Sequence, residues 1–248
     1  MLCPAFRGLF SLLVLLSLAL TPLPARALFH VAVISEVLTS YDGDDSIQFI
    51  EIEMLFVLQN VVGGSVIARF DRDGVYLDDV IVLPLPPTPQ DPPVPNHGVG
   101  VTYLLATQAF VDRTSLDPEF IIPATLPTSG GMICFGGGGG VLPLIPPDWD
   151  RDDLDSYVDC LAYGDYSGPT GIHSGDPTPL VAVGHSLKRI SETEDNLMDF
   201  RCGDPLTPTN NFSESAPLRA TELCPEPAAA LAQLAALGTI ALVRRRRA

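Results

Sequence analysis

Val33-Ile34-Ser35-Glu36-Val37 and Gln48-Phe49-Ile50-Glu51-Ile52-Glu53-Met54 decide the fold. In the second stretch Ile50, Ile52 and Met54 fall on one side and Glu51 and Glu53 on the other, the period-two alternation of a half-buried strand. The first lies in Val31 to Val37, a run rich in β-branched residues that favours an extended backbone. Working outward, Ile47 to Leu58, Ser65 to Phe70, Val75 to Leu83, Val101 to Ala106, Met132 to Phe135, Tyr157 to Tyr163 and Leu180 to Ile190 read as strands. Turn signals separate them: Asp42-Gly43-Asp44, Gly63-Gly64, Asp73-Gly74 and Ser129-Gly130-Gly131. Apart from the two ends, no long stretch keeps a helical period. Many short strands between Gly and Pro turns predict an all-β sandwich or barrel. Pro84 to Pro95 predicts an extended surface loop. Gly136 to Gly140 is followed by Val141-Leu142-Pro143 rather than Gly-Lys-Ser/Thr, so it reads as a loop and not as a phosphate cradle.

Three groups of residues resemble the bacterial lamin-tail domains, whose fold is an immunoglobulin-like β-sandwich. The opening pair is similar to that family's first two strands. Tyr103-Leu104-Leu105-Ala106-Thr107 and Gly131-Met132-Ile133-Cys134-Phe135 resemble its central strands. Gly184-His185-Ser186-Leu187-Lys188-Arg189, Asp195-Asn196, Asp199-Phe200 and Pro208-Thr209-Asn210-Asn211 resemble its closing run. The likeness spans 28–215 and implies no catalytic residues. The family's Gly-Trp-x-Leu after the second strand is absent, and Val66 to Phe70 stands in its place.

The ends have their own logic. Arg7, the apolar stretch Gly8 to Leu20, and Ala25-Arg26-Ala27 form the three regions of a secretion signal over 1–27, with the mature chain beginning near Leu28. Residues 216–227 form a linker ending in Pro225-Glu226-Pro227. Ala228 to Val243 follows, then Arg244, Arg245, Arg246 and Arg247. As a helix that apolar segment spans roughly 24 Å against about 30 Å of hydrocarbon, short for a permanent transmembrane span but adequate for a temporary one, with its arginines on the cytoplasmic side; a plain C-terminal anchor is the alternative. The tail resembles the PEP-CTERM sorting signals of Gram-negative bacteria. That resemblance implies a signal peptidase and an exosortase-like enzyme as processing partners, and delivery to the cell surface or exopolysaccharide.

The formal net charge is −16, and both ends are basic, so the part between them is more acidic still. Such a surface repels nucleic acid and anionic headgroups. It suits an extracellular domain or one that takes up divalent cations. The acidic run Asp148-Trp149-Asp150-Arg151-Asp152-Asp153-Leu154-Asp155, with Asp159 at its twelfth position, makes calcium the candidate cofactor. The candidate ligands are Asp148, Asp150, Asp152, Asp155 and Asp159. Against that reading, Asp153 occupies the sixth position, where a calcium loop requires glycine for its turn. A solvated charged loop anchored by Trp149 and Leu154 is the simpler expectation.

Val181 to Leu187 resembles a strand leading into a nucleophilic serine, but Lys188 stands where the elbow needs glycine, and no histidine follows His185. His30, His97 and His173 are scattered ahead of it. Glu36 and Glu51 read as structural acids that accept hydrogen bonds from backbone or from Arg189, tying the first, second and last strands together. Removal of 1–27 takes Cys3 with it and leaves Cys134, Cys160, Cys202 and Cys224. Four cysteines in an exported domain suggest two disulfides. Cys134–Cys160 would fasten both ends of the glycine-rich and acidic connection. Cys202–Cys224 would pin a proline-rich segment with little core-forming pattern. Zinc is not expected, because no two cysteines are close in sequence.

The expected function is non-enzymatic: a surface or matrix binding module without nucleic-acid partners, meeting envelope or exopolysaccharide components. The rival is a secreted calcium-dependent hydrolase with an unrecognised site.

Overall fold

The computed structural model describes residues 32–57, 62–84, 94–136, 150–179, 184–203 and 205–219, together with Cys224. Among the described residues ten strands form two sheets. They are β1 (Ala32–Leu38), β2 (Phe49–Met54), β3 (Val66–Phe70), β4 (Tyr76–Val82), β5 (Thr102–Ala106), β6 (Phe120–Ile121), β7 (Gly130–Gly136), β8 (Tyr157–Gly164), β9 (Ser186–Arg189) and β10 (Phe200–Gly203). One sheet has the order β10-β9-β1-β2-β5-β6 and the other β4-β3-β7-β8. Pairing is antiparallel except between β5 and β6. Two short α-helices, α1 (Gln108–Thr114) and α2 (Asn196–Asp199), and a 3-10 turn at Leu154–Ser156 complete the described elements.

The expected all-β architecture holds, and the two sheets pack face to face. Ile34, Ile50, Ile52, Tyr103 and Leu105 of the larger sheet meet Ile67, Ile133, Phe135, Leu161 and Tyr163 of the smaller one. In β1 a bulge interrupts the alternation. Ile34 pairs with Ile52 but Glu36 pairs with Glu51, leaving Ser35 as the extra residue. Ile34 and Val37 therefore both reach the inter-sheet core, while Glu36 and Leu38 turn to the outer face.

β1 and β2 are more deeply buried than the half-buried alternation predicts, whereas β4 keeps exposed positions. All seven residues of β1 are buried. On the larger sheet's outer face, Leu38, Phe49, Leu104 and Ala106 are covered by Phe110 of α1 and by Leu206 and Leu218 from the segment 205–219. That segment does contribute to a core, contrary to its reading as pattern-poor. Leu206 and Leu218 form an antiparallel bridge that folds it back on itself. Over the smaller sheet, Leu154 and Tyr166 cover Phe70, Met132, Cys134 and Ala162.

Helix α1 has no counterpart among the expected elements. At seven residues it is too short to show a period, and it buries only Phe110. The Thr107 hydroxyl caps it by accepting from the Phe110 amide, and Ser115 ends it in the left-handed conformation. Among the described residues no helix is long and apolar enough to cross a membrane. The expected signal peptide and the apolar tail Ala228 to Val243 lie outside the described residues.

Candidate functional site

Two clusters of buried polar side chains among the described residues lie along β1 and β9. The first is the outer face of the larger sheet. Glu36 and Glu51 lie opposite one another on β1 and β2, and Lys188 of β9 lies opposite Glu36. Ser186 Oγ donates to Glu36 Oε1 at 2.5 Å, and Lys188 Nζ stands 3.4 Å from Oε2. Ser35 Oγ donates to Glu51 Oε1 at 2.7 Å, and the Thr209 amide donates to Glu51 Oε2 at 2.7 Å. Glu36 is wholly buried and Glu51 nearly so. Burial, reinforced by the Glu36 charge, pushes the Glu51 carboxyl up to about 7, against the pull of its hydrogen-bond donors. Gly203 faces Ser186 across the β9–β10 pair, and a side chain at that position would run into the serine hydroxyl.

Of the two donors expected for the strand acids, backbone serves Glu51 through the Thr209 amide, whereas Arg189 takes no part in this face. It follows Lys188 on β9 and so points to the opposite side of the sheet. Its NH2 group donates to Asp159 at 2.5 Å, its Nε to the Ile34 carbonyl at 2.8 Å, and its NH1 to Asp199 at 3.3 Å. The guanidinium lies 4.5 Å from the centre of the Phe200 ring. Asp159 also accepts from the Ile34 amide at 2.7 Å, which makes it a bridge from β8 in one sheet to β1 in the other. Burial pushes its carboxyl up, and Arg189 with the Ile34 amide pulls it back.

The candidate cation ligands are dispersed. Asp148 lies outside the described residues. Asp150 Oδ1 accepts from the Asp152 amide in an exposed turn, and Asp155 Oδ1 accepts from the Ile172 amide. Asp159 is buried against Arg189. Leu154 anchors the loop to the smaller sheet, and Arg151 ties it to Asp79 of β4 at 2.8 Å. Asp42-Gly43-Asp44 and Asp71-Arg72-Asp73-Gly74 are turns, the second closed by Asp71 Oδ1 accepting from the Asp73 and Val75 amides.

The serine-elbow likeness does not produce a nucleophile. Ser186 is wholly buried and its hydroxyl is committed to Glu36. His185 Nδ1 sits instead 3.3 Å from the Gly203 carbonyl and 3.4 Å from Cys224 Sγ. His97 is exposed elsewhere.

Cys134 is bonded to Cys160, its direct partner across β7 and β8, and Cys202 is bonded to Cys224, the same two pairs that the sequence suggests. The expected sorting residues Pro225, Glu226, Pro227 and Arg244 to Arg247 lie outside the described residues. Sequence reasoning missed the grouping of His185 with Cys202 and Cys224, whose ligand-type atoms all lie within 4.8 Å of one another. No spacing rule finds it, because only the pairing of Ser186 with Gly203 brings the histidine to Cys202.

A last polar knot fixes the end of the domain. Asn211 Nδ2 donates to the carbonyls of Asn96 and Thr102, its Oδ1 accepts from the Asn96 amide, and its own amide donates to Glu119.

Comparison of the chain with known protein families, with curated proteins and with solved structures returned no match.

Proposed function

We propose that this chain is an exported, non-enzymatic binding or structural module of the bacterial cell surface, built on a lamin-tail-type immunoglobulin-like sandwich. The observation that carries the reading is a β-sandwich-like domain stapled by two disulfides, a combination suited to an oxidising compartment. The polar groups inside the domain support the non-enzymatic half. Among the described residues the buried acids, Arg189 and Ser186 are engaged in holding strands together.

The finer fold assignment draws on how the resembling residues meet. Arg189, Asp199 and Phe200 of the closing run touch one another, and Asn211 closes the sandwich beside β5. A secretion signal over 1–27 and a sorting tail after Pro225-Glu226-Pro227 account for the basic ends. In this reading the mature domain is acidic and meets envelope or exopolysaccharide components.

Fractionation of the native host with intact-mass measurement tests the proposal. A surface form beginning near Leu28 and lacking Ala228 to Val243 is expected. A cytoplasmic protein that retains Met1 and reduced cysteines would refute it.

A further inference from the structure

The two disulfides differ in surroundings. Cys134 and Cys160 are 0% and 1% exposed, whereas Cys202 and Cys224 are both partly exposed. The second pair also has a polar neighbour. His185 is buried, and its Nδ1 lies 3.3 Å from the Gly203 carbonyl oxygen and 3.4 Å from Cys224 Sγ. A carbonyl oxygen only accepts, so Nδ1 carries the proton. The same N–H is therefore aimed into the space it shares with the Cys224 sulfur. A disulfide sulfur is a weak acceptor and a thiolate a strong one, so this contact strengthens when the bond breaks towards Cys224.

We propose that Cys202–Cys224 is a thiol–disulfide exchange site whose partner is a dithiol, with Cys202 as the sulfur attacked and Cys224 as the leaving thiolate held by His185. A thiolate of the dithiol attacks Cys202 Sγ. The new S–S bond forms as the Cys202–Cys224 bond breaks, and the electron pair goes to Cys224 Sγ, which accepts from His185 Nδ1–H. The second thiolate of the dithiol then attacks its own sulfur in the mixed disulfide and releases Cys202 as a thiolate. The protein disulfide gains two electrons, the dithiol is oxidised to its disulfide, and the two protons of the dithiol pass to solvent or to the freed cysteines. The regiochemistry follows from leaving-group stability, which speeds departure of the sulfur with the better-stabilised thiolate. Cys134–Cys160 is buried and among the described residues has no such donor on its sulfurs, and it stays intact under the same conditions.

The test uses the folded full chain. Dithiothreitol is titrated in, thiols are trapped by alkylation, and each cysteine is read by peptide mass. Cys202 and Cys224 are expected to open at a dithiothreitol concentration at least about tenfold below that which opens Cys134–Cys160. With glutathione, a monothiol, the trapped adduct is expected on Cys202. Exchange at Cys202–Cys224 in His185→Phe, which keeps a ring but loses the donor, is expected to slow by roughly tenfold. The glutathione experiment needs no substitution, so it decides even if His185→Phe fails to fold. Simultaneous opening of both disulfides, an equal division of glutathione between Cys202 and Cys224, or an unchanged rate in a folded His185→Phe would each overturn the proposal.

Discussion

The outer faces of the two sheets are both buried, yet they are closed by opposite means. Over the smaller sheet the contacts are mainly apolar and covalent, with the Arg151–Asp79 ion pair at one side. Phe70 meets Tyr76 and Tyr157 edge-on at 5.8 and 6.0 Å, and Cys134–Cys160 joins neighbouring strands beneath them. Over the larger sheet, beside the apolar contacts of α1, two carboxylates, a lysine and several hydroxyls are packed under a segment from the far end of the chain. The apolar part of the first face depends little on pH. The second carries the energetics of its protons. Two surfaces of similar burial thus respond differently to the same change in solvent.

The largest expected effect breaks the apolar face. Phe70→Ala removes a wholly buried ring from between two tyrosines and is expected to cost about 3–5 kcal/mol in urea unfolding, with little dependence on pH. Replacing Cys134 and Cys160 together by alanine releases a loop of sequence separation 26 and is expected to cost roughly 3–4 kcal/mol in the same measurement. A cost below about 1 kcal/mol would mean that apolar packing alone holds the face.

Glu51→Gln sharpens the other side of the comparison. The folded-state value near 7 lies above the reference value of 4.5, so the folded protein binds the proton more tightly than the unfolded chain. Its contribution is fully present below about pH 4.5 and is lost as pH rises through about 7. Wild-type stability relative to Glu51→Gln is therefore expected to fall by up to roughly 3 kcal/mol between pH 4.5 and 8, read from thermal or urea unfolding at each pH. A difference that stays flat across that range would remove the carboxylate pair as the source of pH sensitivity. The smallest effect concerns α1. Thr107 Oγ accepts from the amides of Phe110 and Gln48, and Thr107→Ala is expected to cost about 1–2 kcal/mol.

The strands were legible because a period of two and glycine-bearing turns are local signals. β1 and β2 begin and end within two residues of their expected limits at most points, although β2 stops at Met54 rather than running on to Leu58. β6, with two residues, and α1, with seven, are too short for any periodicity to register. β10 gave no signal, because the four residues Phe200-Arg201-Cys202-Gly203 are too few to establish a period. The disulfide pairs followed from a count of four and from the segments they enclose. The fate of the acids did not, because it is set by distant partners. Glu51 alternates with apolar neighbours as a surface residue would, and what covers it is Thr209, 158 positions later. Arg189 was placed with the wrong carboxylates for a related reason. Lys188 and Arg189 are adjacent cations, and only the side of the sheet each one faces separates Glu36 from Asp159.

β1 has one more consequence, which concerns the order in which the molecule is completed. It sits between β2, its neighbour in the chain, and β9, which brings the Ser186 partner of Glu36 only 150 residues later. In a chain that folds after export, pairing β1 with β2 closes only a short loop, whereas docking β9 on β1 closes one of 150 residues, so the first pair forms ahead of the second. Through that interval the paired first strands have an open edge, the kind of surface on which incompletely folded chains aggregate. Glu36 and Glu51 are then in water and fully hydrated, and they place like charges beside the open edge. Incompletely folded copies repel one another there until β9 and the closing segment arrive. The residues that are hardest to bury at the end of folding thus act as the guard on the first sheet at its beginning.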